Sequence, residues 1–194
     1  MKRDIILAGV GGQGILSIAT TIGTAALNAG LHLKQAEVHG MSQRGGDVSS
    51  NLRIADHEIA SDLIPYGQAD LIISVEPMES LRYLPLLSPA GWLITNTKPF
   101  INIPNYPKMD ELMAEIGHVG NHIALDADEI AKNLGSARSA NMVILGAASP
   151  FLEIDYKELQ DAIRRIFERK GEEIVKVNLD ALQAGRDFAQ ANMS

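Results

Sequence analysis

The chain has 194 residues, 46% of them apolar and 21% charged, which suits one globular domain over 1–194 with a full buried core. Its formal charge of −7, with 17 Lys and Arg scattered along it, is wrong for a surface that neutralises phosphates, so nucleic acid is not expected as a partner. Cysteine is absent, which removes disulfides, thiolate nucleophiles and cysteine-held zinc or iron-sulfur clusters together.

The opening Met1-Lys2-Arg3-Asp4 leads straight into an apolar run, and no run approaches the ~18 residues of a membrane span, so a cytoplasmic protein with no membrane partner is expected. Ile5 to Ala8 reads as a short buried strand. Gly9, Gly11, Gly12 and Gly14 then allow a sharp turn, and the proline-free segment Gln13 to Ala29, rich in Ala, Leu and Ile, reads as a helix. Leu31 to Val38 reads as a second strand, so Ile5 to Val38 is expected to be a parallel βαβ unit. Asp47 to Ile54 alternates imperfectly and, with Ile59-Ala60, reads as a local antiparallel hairpin.

Parallel order resumes with a strand Asp70 to Val75, a helix Pro77 to Leu87 and a strand Gly91 to Thr95; Pro77 suits a first helical turn. Three prolines and three asparagines between Asn96 and Lys108 predict an irregular surface connection. A brief helix Asp110 to Ile116, a strand His122 to Leu125 and a helix from Asp126 to about Gly135 follow. The last third is helical: Ser139 to Phe151, Asp155 to Arg169 with Asp155 as N-cap, and Glu172 to Met193, each with apolar positions at helical spacing that would cover the sheet. The predicted class is α/β: a Rossmann-like, mostly parallel sheet with helices on both faces, a local antiparallel hairpin and C-terminal helices. Trp92 reads as core, and His57, His118 and His122 as surface or packing residues, since no ligand spacing joins them.

Two stretches carry chemistry. The turn Gly9-Val-Gly11-Gly12-Gln13-Gly14 opens a helix, where unpaired N–H groups and the dipole favour an anion such as a phosphate or carboxylate. Read literally, Gly9-x-Gly11-x-x-Gly14 with Glu37 farther on matches a dinucleotide fingerprint, and its bland counterpart is tight helix-on-strand packing. The second stretch, Glu37-Val-His39-Gly40-Met-Ser42-Gln43-Arg44-Gly45-Gly46, packs an acid, an imidazole, a hydroxyl, an amide and a guanidinium between glycines. Arg44 offers a planar fork for a carboxylate or phosphate and His39 a proton near neutral pH; a self-satisfied turn pairing Glu37 with Arg44 is the alternative. Because this loop follows a strand, it and the glycine turn should share the carboxyl rim of the sheet.

Together, Ala-Gly-Val-Gly-Gly-Gln-Gly-Ile-Leu and Glu-Val-His-Gly-Met-Ser-Gln-Arg-Gly-Gly resemble the gamma domain of 2-oxoacid:ferredoxin oxidoreductases, most of all its indolepyruvate branch. The stretch Gly135-Ser-Ala-Arg138-Ser-Ala-Asn141-Met-Val-Ile-Leu-Gly146 resembles a third segment of that domain, adding Arg138 and Asn141 to the candidate contacts.

The resemblance implies a reaction in which a 2-oxoacid is oxidatively decarboxylated, coenzyme A takes the acyl group and ferredoxin takes the electrons. Thiamine diphosphate, magnesium and iron-sulfur clusters would sit in a larger alpha subunit, through which ferredoxin is met, with coenzyme A as co-substrate. This chain has no cysteines, and its Gly46-Asp47-Val48 lacks the pattern that holds the diphosphate's metal, so it would bind no such cofactor alone. No catalytic residue is expected in it. The alternatives are a stand-alone nucleotide- or NAD-binding enzyme, and a partnerless regulatory module of the same family, a homodimer when isolated.

Overall fold

In the computed structural model, which describes residues 1–40 and 45–193, strands and helices run β1 (Lys2–Val10), α1 (Ile15–Asn28), β2 (His32–His39), β3 (Asp47–Ala55), β4 (Ala69–Ser74), α2 (Pro77–Arg82), β5 (Leu87–Asn96), α3 (Met109–Gly117), β6 (His122–Leu125), α4 (Ala127–Asn133), α5 (Ala140–Ala148), α6 (Tyr156–Phe167) and α7 (Glu172–Asn192). They form one six-stranded sheet in the order β2-β3-β1-β4-β5-β6. β1, β4, β5 and β6 are mutually parallel, and β3 runs antiparallel to β1 and to β2.

The expected βαβ unit is therefore corrected. β2 points the same way as β1, but β3 lies between them, in register Lys2↔Ala55 to Val10↔Asp47 with β1 and His32↔Ala55 to His39↔Val48 with β2. The reason is the apolar content of the two strands. β3 is buried along most of its length and takes the inner place, whereas β2, His-Leu-Lys-Gln-Ala-Glu-Val-His, is polar enough to stand at the edge. The antiparallel hairpin exists, but it is β2–β3. Ile59-Ala60 is not a strand; it belongs to a loop pinned under the sheet by Arg53, which donates to the carbonyls of Ser61 at 2.9 Å and Leu63 at 3.1 Å.

Helices cover both faces. Ile5, Leu7, Leu52, Leu71, Ile73 and Ile94 face α1, α5 and α6, and Ile6, Ile72 and Leu93 meet Ile116 of α3 on the other side. The C-terminal helices do not all lie on the sheet as expected. α5 is buried from Met142 to Ala148, between the sheet and α7. Glycines permit that approach: a Cβ at Gly146 would stand 2.0 Å from the Leu182 carbonyl oxygen, and one at Gly185 would stand 1.9 Å from that of Val143. Trp92 is half-buried and stacks on Phe151 with ring centroids 4.4 Å apart.

At the amino end of the sheet, buried Asp4 accepts a two-pronged ion pair from Arg53, Nε to Oδ1 at 2.7 Å and Nη2 to Oδ2 at 3.0 Å, and a third contact from Lys2 at 2.7 Å. Burial by itself would lift the Asp4 carboxyl, but the hydrogen bonds and charge of Arg53 and Lys2 outweigh it and hold it below its ordinary value.

A carboxylate whose folded pKa is depressed contributes stability that is present above its unfolded pKa of about 4 and is lost as pH falls through the folded value. Asp4→Asn should cost about 3 kcal/mol in urea unfolding at pH 7, because it leaves the Arg53 charge without its carboxylate, and should shrink the loss of stability on acidification. Equal neutral-pH stability of variant and parent would refute this. Gly185→Val should lose at least about 2 kcal/mol by forcing α7 off α5, read as a lowered urea midpoint.

Candidate functional site

The glycine turn closes β1 at the carboxyl rim. Gly9 lets β1 pass close to β4, since a Cβ there would meet Val75 Cγ2 at 2.4 Å; Gly12 and Gly14 carry φ of +102° and +84°, where a side chain is strained. Gln13 is spent on the turn itself: its Oε1 accepts from the Val10 N–H at 2.8 Å and its Nε2 donates to the Val75 carbonyl at 3.4 Å. Gly14 caps α1 without a side chain, so the opening N–H groups of this helix gain no side-chain acceptor.

The Gly46 end of the polar loop lies against this turn at the carboxyl rim. The Gly11 N–H donates to the Gly46 carbonyl at 2.9 Å, and Gly40 N–H to the Asp47 carbonyl at 3.0 Å. Ser42, Gln43 and Arg44 lie outside the described residues. Glu37 contacts His39 Nε2 and accepts from Gln35 Nε2 at 3.4 Å. Standing on edge strand β2, with β3 between it and β1, Glu37 is not where a dinucleotide fingerprint needs its ribose-binding acid.

On the other side of the turn lies a cleft of about 610 Å³, lined by Gly12, Gln13, Gly14, Asn96, Arg138, Asn141, Lys170 and Asn178 among others. The third motif thus meets the first. Asn141 Nδ2 donates to the Gly14 carbonyl at 3.2 Å while its Oδ1 accepts from the Met142 N–H at 3.0 Å, tying α5 to the start of α1. Arg138 and Lys170 are exposed cations lining the cleft together with the opening of α1, and the Asp128 carboxylate on the same wall is engaged by Asn96 Nδ2 at 2.7 Å; the cations and the helix end suit an anionic group.

Sequence reading missed Asn96, Lys170 and Glu76. Asn96 sits at the carboxyl end of β5, where its position could have flagged it; its Nδ2 donates to Asp128 at 2.7 Å and to the Val75 carbonyl at 3.3 Å, and its Oδ1 accepts from Ala127 N–H at 3.1 Å. Lys170 follows α6 and reaches the cleft only through the fold. Glu76 is fully buried after β4, accepting from Glu79 N–H at 2.8 Å, from Phe100 N–H at 3.2 Å and from the Tyr106 hydroxyl. Burial, then the Glu76 carboxylate, pushes the Tyr106 hydroxyl well above its ordinary pKa. Nearby Glu79 is also raised by burial, against the pull of Arg82 at 2.7 Å.

Among the described residues no three His, Asp or Glu side chains converge as metal ligands, and no described helix is long and apolar enough to cross a membrane. The chain has no thiolate for an iron-sulfur cluster, and the described side chains offer no convergent ligands for a thiamine diphosphate metal.

The profile of the pyruvate ferredoxin/flavodoxin oxidoreductase family matches residues 4–188. Indolepyruvate oxidoreductase subunit IorB of Archaeoglobus fulgidus is 38% identical over 97% of this chain and 96% of its own length. Ketoisovalerate oxidoreductase subunit VorA of Methanothermobacter marburgensis is 30% identical over 96% of this chain but only 36% of its own. The fold matches the 2-oxoglutarate:ferredoxin oxidoreductase of Magnetococcus marinus, solved with 2-oxoglutarate, coenzyme A and succinyl-CoA bound, with a TM-score of 0.78 and 24% identity over 98% of this chain and 31% of that one. The chain therefore belongs to the pyruvate ferredoxin/flavodoxin oxidoreductase family, as a small subunit of a 2-oxoacid:ferredoxin oxidoreductase.

Proposed function

We propose that the chain serves an enzyme acting on indolepyruvate or another arylpyruvate, and that its carboxyl rim borders a reaction centre housed in a larger alpha subunit. The similarity to IorB over nearly the full length of both chains supports the substrate class. In this reading the larger subunit carries thiamine diphosphate, magnesium and iron-sulfur clusters and passes electrons to ferredoxin. The 2-oxoacid loses carbon dioxide, and coenzyme A leaves with the acyl group.

The observation that carries the role of this chain is the 2.9 Å hydrogen bond from Gly11 to Gly46, which sets the flank of the Glu37–Gly46 loop against the glycine turn. The two glycine-bearing turns supply backbone N–H groups at this rim, and the sequence of the loop adds Arg44, whose guanidinium would suit a carboxylate or phosphate of substrate or coenzyme A. His39 and Gln43 add polar contacts. Gly9, Gly11, Gly12, Gln13 and Gly14 shape the rim, and Arg138 and Asn141 form the far wall of the adjoining cleft. The chain lends shape and charge, and proton transfer belongs to the partner.

Reconstituted with its larger subunit, Arg44→Ala should lower kcat/KM by roughly 10- to 100-fold, the worth of one charge-assisted hydrogen bond. Unchanged kcat and KM for both substrates would count against an anion-holding role. Titration of the chain alone with NAD(H), NADP(H) or ATP should give no saturable signal; tight binding would instead favour a stand-alone nucleotide-dependent enzyme. Arylpyruvates should exceed pyruvate and 2-oxoglutarate in kcat/KM with the complex, and the reverse ranking would sink the substrate assignment.

A further inference from the structure

The connection between β5 and α3 is irregular, as its prolines predicted, yet it is held firmly and holds apolar side chains outward. Residues 97–108 read Thr-Lys-Pro-Phe-Ile-Asn-Ile-Pro-Asn-Tyr-Pro-Lys, without one acidic residue in a chain that has 24. Ile101 is 71% exposed, Phe100 42% and Ile103 37%. The buried Glu76 carboxylate takes the Phe100 N–H at 3.2 Å and the Tyr106 hydroxyl, gripping the segment at Phe100 and again beyond Ile101 and Ile103. Between the two grips, Asn102 Nδ2 donates to the Gly45 carbonyl, fastening the segment to the flank of the polar loop.

Fixing a stretch of chain through a fully buried carboxylate costs desolvation and chain entropy, and nothing within the described fold is gained by directing Ile101 at water. Such pre-organisation lowers the cost of association when the segment meets a partner. Val38, exposed at the end of β2, and Leu16, exposed in the first turn of α1, belong to the same rim.

We propose that residues 99–106 are the docking strap of this chain for the larger subunit, with Ile101 and Phe100 as anchors and Glu76 as the residue that positions them. The inference rests on the proposed assembly and identifies the surface through which it forms. A polypeptide of the same enzyme is the fitting occupant because units like this one make up only 36% of VorA and 31% of the Magnetococcus marinus chain, where they are covalently continuous with a larger body. The strap also adjoins the loop assigned to that body's reaction centre. Lys98, exposed, stands at one end of the apolar centre, and Lys108 at the other lies 3.8 Å from Glu111, so the complementary surface is an apolar socket with a carboxylate facing Lys98.

The test uses the full chain and the co-expressed larger subunit, with affinity measured by titration and the fold checked by thermal unfolding. Ile101→Asp should keep the melting temperature of the parent and weaken binding at least about tenfold, as expected for a charge placed on a buried apolar anchor. Glu76→Gln should weaken binding by lowering the on-rate of a loosened strap, and Ile101→Asp mostly by raising the off-rate. Leu63→Asp, on an exposed apolar residue of the opposite, amino rim, should leave affinity unchanged.

Parent-like binding by Ile101→Asp, or equal weakening by Leu63→Asp, overturns the assignment. A homodimer of the isolated chain that Ile101→Asp dissociates, with binding of the larger subunit intact, gives the strap to a second copy and also overturns it. Failure of the unsubstituted chain to bind any larger subunit strikes the proposed assembly itself, an outcome distinct from failure of the variant alone.

Discussion

The short return between His39 and Asp47 decides the geometry of the whole carboxyl rim. Because that return is too short for a crossover, β3 must run antiparallel beside β2 and begin where β2 ends. β3 is also the more apolar of the two, so it docks on β1, and its first residue, Asp47, comes to rest opposite Val10. The Gly11–Gly46 hydrogen bond follows from that register. Two turns distant in sequence are thereby fixed side by side, with Gln13 closing the first through the Val10 N–H and the Val75 carbonyl.

The far wall of the site depends on helix packing. α5 is short and buried, and only the glycines at the α5–α7 crossing let it settle deep enough for Asn141 to reach the Gly14 carbonyl. A chain of contacts thus runs from Gly185 through α5 to the turn that opens α1, and the cleft lined by Arg138 and Lys170 exists because these helices are close. Charge is divided across the rim. The cleft side carries Arg138 and Lys170 beside Asp128, while Glu76 lies under the 97–108 segment with Glu79 and Asp47 near it on the other side. Glu76 remains tolerable in the interior because its oxygens accept from two backbone N–H groups and a tyrosine.

The chain is a small subunit in an oxidoreductase family and has no cysteine to hold zinc or an iron-sulfur cluster. Iron-sulfur clusters and protein-held metals need soft or convergent ligands, and among the described residues no three His, Asp or Glu side chains converge. In the proposed assembly, what the chain offers a partner is the carboxyl rim of a mixed, mostly parallel sheet, with backbone donors, exposed cations and a segment of exposed apolar side chains.

Much of this was determined locally and so could be read from sequence. Ile5 to Ala8, Asp70 to Val75 and His122 to Leu125 are apolar runs bounded by turn residues, and Asp126 and Asp155 cap their helices by accepting from Glu129 N–H and Lys157 N–H. Such features depend on neighbours a few residues away. The resemblance of the first two motifs, confirmed by the family match, also lay in the linear chain. Lateral strand order did not: alternation shows that Leu31 to Val38 is a strand but not that β3 will displace it from β1, because that choice compares the burial of two strands against a third. The misread pairing of Ile59-Ala60 has the same origin. Lys170 meeting the glycine turn, Gln13 closing its own loop and Glu76 gripping Tyr106 are likewise contacts between segments far apart in sequence, and only tertiary packing, which sums weak contacts over the whole core, could choose them.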